Sequence, residues 1–216
     1  LLTFGFDEGN RYRAVDIADT KRACERFTVL KDGAPLCEVS LRIPGKHNIY
    51  NALAAVAVAD YMGVDAQTIA ESLHQFTGVH RRFEILGTFN GVTVADDFAH
   101  HPTELTATLN AAMHMGFREV WAVFQPHTFS RTYMLLNDFA KALSIPDHAV
   151  LSEILPVREV NTYNIYAKDL AEKIPGCVWF PTFEEIRDYV MAKAQEGDLI
   201  LTLGGGDVYK CANMIV

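Results

Sequence analysis

Residues 94–105, VADDFAHHPTEL, set Asp96, Asp97, His100 and His101 just ahead of a proline. Two acids and two histidines in so short a run could bind a metal, exchange protons or hold a polar substrate. Pro102 suits the first turn of a helix, so the histidines fall at a helix N-terminus, where unpaired N–H groups attract anions. Asp97 could accept from a ribose or a water, and His100 could donate to an anionic substrate. A metal is disfavoured, because adjacent histidines rarely ligate one ion and no HExxH spacing is present. The plainer alternative is that these side chains only cap the strand and the helix.

Three further stretches carry chemistry. FQPHTFSRT places His127 and Arg131 four residues apart, a spacing that can put both on one helical face. A guanidinium there suits bidentate capture of a carboxylate or phosphate, although it could equally be a solvated helix cation. GKHNIYNALAA brings His47, Asn48 and Asn51 to the start of an Ala-rich helix. Side-chain amides pair a donor with an acceptor, as an adenine edge or another amide requires, but Asn48 could also be an ordinary cap. GVHRRFE offers Arg81 and Arg82 before a strand, one of which could meet a phosphate. LTLGGGD is a glycine-rich turn that permits close backbone approach, without the GxGxxG pattern. His74, His80, His114 and His148 carry no pattern.

The elements that must position these residues change character near residue 79. Before it, YRAVDIAD, CERFTVL and LCEVSLRI read as strands around a KDGAP turn. Two helices follow, one running to about Tyr61 and closed near Gly63, the other N-capped by Asp65. After it, two alternating runs flank Asn90-Gly91, a type I′ hairpin signal. Helices are predicted over 102–115, 131–143, 167–173 and 183–195, and strands over 119–125, 148–153, 177–180 and 198–203. Such alternation means an α/β fold, a mostly parallel sheet with flanking helices. Ligands bind outside the carboxyl ends of such strands. DDFAHHP, QPHTFSR, EILPVRE and GGGD all fall at such ends, and their convergence is stronger evidence than any one of them.

Bulk properties narrow the partners. At 216 residues and 50 % apolar, the chain can bury a large core, and a net charge of −8 with no basic patch argues against nucleic acid or a lipid surface. No apolar run approaches the roughly 20 residues of a membrane span. Cys24, Cys37, Cys177 and Cys211 form no CxxC pair and read as reduced thiols, which predicts a cytoplasmic location. The opening LLTFGFDEGN lacks an initiator Met and begins strand-like, so the expectation is a piece of a longer protein.

In order and spacing, GKHNIYNALAA, GVHRRFE, DDFAHHPTE, FQPHTFSRT and LTLGGGD resemble the bacterial Mur ligases, across the whole chain. DDFAHHPTE and FQPHTFSRT are the specific motifs. The first is shared with murein-peptide ligases, whereas the second is more similar to the members that add L-alanine to UDP-N-acetylmuramate. The resemblance implies a three-domain enzyme of peptidoglycan precursor synthesis, in which ATP phosphorylates a carboxylate and an amine attacks the acyl phosphate. It implies that residues 1–78 are the tail of an α/β ATPase domain and 79–216 a Rossmann-like C-terminal domain. His47, Asn48 and Asn51 would then hold the adenine, Arg82 and Asp97 would reach the ribose and phosphates, and His100, His127 and Arg131 would line the L-alanine pocket.

Departures from the family pattern bear on the chemistry. No GxxxxGK[ST] phosphate loop occurs, and the family's Mg²⁺ ligands are missing with it, so no catalytic residue is assigned in this chain. Phe98 stands where Tyr is commoner and Gly205 where Ala is commoner. Two other classes compete: a nucleotide- or anion-binding module without chemistry, and a metal-dependent hydrolase built on Asp96, Asp97, His100 and His101.

Overall fold

The computed structural model describes residues 1–19 and 24–216. The side chain of Cys24 lies outside the described residues, and Cys37, Cys177 and Cys211 are free thiols. The chain divides into two compact units, Leu1–Gly78 and Val79–Val216.

The first unit is a four-stranded sheet followed by two helices. Strands β1 (Phe4–Gly5), β2 (Tyr12–Asp19), β3 (Cys24–Lys31) and β4 (Ala34–Pro44) lie in that order, with β1 parallel to β2 and the rest antiparallel. Helices α1 (His47–Tyr61) and α2 (Ala66–Gln75) follow. In α1, Ile49, Ala52, Leu53, Val56 and Ala57 are buried. That is the i, i+3, i+4, i+7, i+8 stripe of an amphipathic helix, and it packs with Tyr12, Phe27, Val29, Val39 and Leu41 of the sheet. Asp65 caps α2 as the sequence predicts, accepting from the Thr68 N–H.

The second unit is a six-stranded sheet covered on both faces. Its strands are β5 (Glu84–Phe89), β6 (Val92–Asp97), β7 (Val120–Phe124), β8 (His148–Leu151), β9 (Val178–Trp179) and β10 (Leu199–Leu203), in the order β5-β6-β10-β7-β8-β9. Only β5 is antiparallel to its neighbour. β7 and β10 are buried along their whole length, as strands covered on two faces must be. Helices α3 (Pro102–Met113), α4 (Phe129–Met134), α5 (Leu136–Leu143), α6 (Ala167–Ala171), α7 (Phe183–Lys193) and α8 (Tyr209–Asn213) complete it. One core joins Leu105, Leu109, Phe139 and Leu170 to the sheet, and the other joins Ile186, Val190 and Cys211 to its opposite face. The predicted α/β class is the observed one. Asn90 and Gly91 both take positive φ, 47° and 78°, as a type I′ turn demands.

Two local expectations need correction. The helix predicted over 131–143 is two helices, because Leu135 leaves helical geometry at φ −110°, ψ 21°. The strand predicted to reach residue 153 ends at Leu151, and beyond it an isolated bridge pairs Leu155 with His127.

The placement of β10 decides the geometry of the ligand edge. It inserts between β6 and β7, pairing Leu203 with Asp97 on one side and with Phe124 on the other. The LTLGGGD turn therefore emerges between DDFAHHP and FQPHTFSRT, although it is far from both in sequence.

Candidate functional site

Arg81 is the hub of this edge. It holds φ +59°, a left-handed backbone uncommon outside glycine. Its Nε donates to Asp96 Oδ2 at 2.8 Å, and its two terminal nitrogens donate to the carbonyls of Gly206 and Gly204 at 2.9 and 2.8 Å. The guanidinium lies 4.9 Å from the Phe98 and Tyr209 ring centroids, within cation–π range of both. Asp96 is fully committed, since Thr202 donates its hydroxyl to Oδ1 at 2.6 Å. The glycine turn thus presents carbonyls to an internal arginine, which is the opposite polarity from a phosphate cradle. A Cβ on Gly206 would collide with the Leu155 and Gln125 side chains, so that glycine serves close packing.

Asp97 is 5 % exposed. One oxygen accepts from the Phe83 N–H at 2.8 Å and the other from Ala99 at 2.7 Å. Burial pushes its carboxyl above the ordinary carboxylate range, although both backbone bonds and the nearby Arg82 pull it down. Arg82 is exposed; its N–H donates to the Val79 carbonyl at 3.1 Å, and its side chain makes no hydrogen bond or ion pair among the described residues. Its charge is felt by Asp97 and Glu104.

The two histidines of the motif have different tasks. His101 is the N-cap of α3: its Nδ1 accepts from Thr103, while Glu104 accepts from the His101 N–H at 3.2 Å, closing a capping box. His100 is half-buried, and its Nδ1 sits 2.9 Å from the Phe98 carbonyl. That contact assigns the proton to Nδ1, and Nε2 is the acceptor when the ring is neutral. Its ring centroid is 5.5 Å from that of His127.

His127 and Arg131 are brought together, but not by the helical face that their spacing predicts. His127 precedes α4 and pairs with Leu155, and Thr128 between them and the helix takes φ +69°. What unites the two is a shared deficit: His127 Nδ1 and one terminal nitrogen of Arg131 are buried without a hydrogen-bond partner. Burial holds the His127 imidazole below its ordinary pKa, and the charges of His100 and Arg131 lower it further. At neutral pH it is an uncharged ring beside a guanidinium. A buried donor left unsatisfied costs roughly 1–3 kcal/mol, more when charged, and a bound carboxylate would remove that cost at Arg131.

In the first unit, Asn48 Nδ2 donates to the Pro44 carbonyl at 2.8 Å and Asn51 Nδ2 donates to Asn48 Oδ1 at 2.9 Å. Asn48 thereby ties α1 to the end of β4. Asn51 is exposed and retains its Oδ1 and one N–H, a donor–acceptor pair of the kind an adenine edge takes. His47 is exposed at the first helical residue.

Sequence reasoning passed over Thr202, Glu104, Glu159 and Thr128, and favoured Arg82 over Arg81 as the residue of note. Glu104 was legible as the acid three residues after the N-cap. The others act through partners distant in the chain. Among the described residues no group of three or more His, Cys, Asp or Glu is placed to hold a metal. Asp96 and His101, half of the proposed hydrolase set, are already engaged by Arg81, Thr202 and Thr103.

A mostly parallel sheet covered on both faces, with histidines and an arginine at its carboxyl edge, is an α/β domain of the class that takes ligands at that edge. Comparison with known proteins names its lineage. The family described as Mur ligase, glutamate ligase domain, matches residues 81–206, and the Mur ligase middle domain matches 1–59. The chain belongs to the Mur ligase family. It is 46 % identical over 215 residues to UDP-N-acetylmuramate–L-alanine ligase of Lachnospira eligens, covering 97 % of this chain and 47 % of that protein. The crystal structure of UDP-N-acetylmuramate–alanine ligase from Thermotoga maritima matches with TM-score 0.84 at 28 % identity, covering 99 % of this chain and 46 % of that one. A murein peptide ligase from Psychrobacter arcticus matches with TM-score 0.65 at 27 % identity, covering 99 % and 45 %. The chain spans about half the length of the curated relatives it matches.

Proposed function

We propose that this chain is the adenine- and amino-acid-holding part of an ATP-dependent ligase that joins L-alanine to UDP-N-acetylmuramate. Residues 1–78 are read as the end of the ATP-binding domain and 79–216 as the amino-acid-binding domain. In the reaction, the γ-phosphoryl of ATP passes to the substrate carboxylate and ADP leaves. The alanine amine then attacks the acyl carbon, losing a proton, and phosphate departs. The relatives' names support the reaction, and the paired unpartnered nitrogens of His127 and Arg131 carry the site.

Each residue then has a physical task. Arg131 grips the alanine carboxylate, uncharged His127 fills the adjoining wall without adding a second cation, and His100 closes the pocket. Asn51, supported by Asn48 and flanked by His47, reads adenine. Arg82 offers an unpaired guanidinium to the phosphates, while buried Asp97 shapes the loop and offers its remaining lone pairs to the ribose. Mg²⁺ is read as belonging to the part of the full-length enzyme that binds the ATP phosphates, since among the described residues no group of three or more His, Cys, Asp or Glu is placed to hold a metal. Among the described residues no helix is long and apolar enough to cross a membrane, and a reaction that consumes ATP belongs in the cytoplasm.

Phosphate release by the intact protein, supplied with UDP-N-acetylmuramate, ATP and Mg²⁺, should depend on L-alanine. Release driven by a murein peptide and indifferent to L-alanine would instead assign the chain to recycling.

A further inference from the structure

Thr128 holds a strained backbone at the ligand edge. Its φ of +69° with ψ 144° falls in a region essentially reserved for glycine, and a β-branched residue there is a genuine outlier. Such a conformation persists only where its surroundings over-determine it, and here they do. The Thr128 N–H donates to the Leu155 carbonyl at 2.9 Å, and Leu155 returns a bond from its own N–H to Pro126. The Thr128 carbonyl accepts from the Thr132 hydroxyl at 2.8 Å. Two residues on, Glu159 takes both donors of Ser130, the backbone N–H at 2.8 Å and the hydroxyl at 2.5 Å.

The strained peptide lies between His127 and Arg131, each of which has a buried nitrogen without a hydrogen-bond partner among the described residues. A relaxed backbone at Thr128 would rotate one relative to the other. We infer that Glu159 is a positioning residue, whose grip on Ser130 holds Thr128 in its strained conformation and thereby aims His127 and Arg131 at one ligand. This rests on the reading of that pair as the amino-acid pocket. Glu159 stays ionised for the task, since the two Ser130 bonds lower its carboxyl below the ordinary range.

The test is a rescue measured on the intact protein. Glu159→Ala should raise the KM for L-alanine about tenfold, the scale on which small misplacements act, with the KM for ATP within about twofold. Adding Thr128→Gly should bring the alanine KM most of the way back, because glycine adopts the bend without strain and no longer needs the clamp. Thr128→Gly alone should raise Tm. Should Glu159→Ala fail to fold, Ser130→Ala removes the hydroxyl half of the clamp and is put through the same rescue. An unchanged alanine KM in the clamp variant, or a loss that glycine does not repair, overturns the inference. Arg131→Lys in parallel separates the two levels. If it raises the alanine KM while no rescue occurs, the clamp alone is wrong; if it leaves that KM unchanged, the pocket reading falls and the positioning role with it.

Discussion

Arg81 and Arg82 are neighbours with opposite fates, and the difference is a matter of partners. Arg81 meets a buried carboxylate, two carbonyls and two aromatic faces, so it is a structural cation. Arg82, one residue on, is left exposed to solvent. Nothing in the local sequence distinguishes them, because each partner of Arg81 comes from a remote strand or loop. Arg131 was singled out by its chemistry as a candidate carboxylate ligand, and what the sequence did not show is that His127 lies ahead of α4, paired with Leu155, and not on its face. Arg131→Lys is expected to raise the amino-acid KM far more than the ATP KM, since an ammonium cannot reproduce the planar fork. Losing one charge-assisted pair costs on the order of 1.5–3 kcal/mol, roughly ten- to a hundredfold in KM. Steady-state kinetics with each substrate varied in turn checks it. Asn51→Ala is expected to weaken ATP more than GTP, because the Asn51 amide is held in one orientation by Asn48 and guanine presents its donor and acceptor in the reverse order from adenine. Equal losses in competition binding would reduce Asn51 to a support for Asn48.

Among the elements, the starts of helices were the most readable, since caps are local: Asp65 before α2 and Pro102 at the first turn of α3 stand where the sequence places them. The break at Leu135 was not readable, as LLNDF continues a helical pattern without proline or glycine. At the opposite end of the sheet from the site, β10 is held by a buried charge. Asp198 is fully buried, and its Oδ2 accepts from Arg118 at 2.8 Å, Trp121 Nε1 at 3.1 Å and the Gln195 N–H at 2.9 Å. Burial alone would raise this carboxyl, but Arg118 and the other donors outweigh it and hold it below the ordinary range. A folded-state pKa depressed in this way stabilises the protein above the unfolded value of about 3.9, and the contribution fades as pH falls through the folded value. Asp198→Asn is therefore expected to cost about 2 kcal/mol at neutral pH. The gap from wild type should narrow below about pH 4. Urea midpoints across pH measure this directly, and a gap independent of pH would mean that the charge contributes nothing.

At the scale of the whole molecule, the 216 residues contain the groups proposed to hold adenine and a carboxylate but no GxxxxGK[ST] loop. Phosphoryl transfer is mostly positioning and charge neutralisation by such a loop, its lysine and Mg²⁺. The 216-residue chain by itself is expected to release no phosphate from ATP when given UDP-N-acetylmuramate, L-alanine and Mg²⁺. Turnover near that of a full-length relative would point to an independent active centre at DDFAHHP. The sequence by itself determined the α/β alternation, the helix starts at Asp65 and Pro102, the hairpin at Asn90-Gly91 and the family motifs, because periodicity, caps and turns depend on residues a few positions apart. Tertiary structure alone decided that β10 enters between β6 and β7, that the glycine turn closes on Arg81, and that a strained Thr128 faces Glu159. Those outcomes are pairings between distant segments, where many partners compete for each donor, and only the folded sheet selects among them.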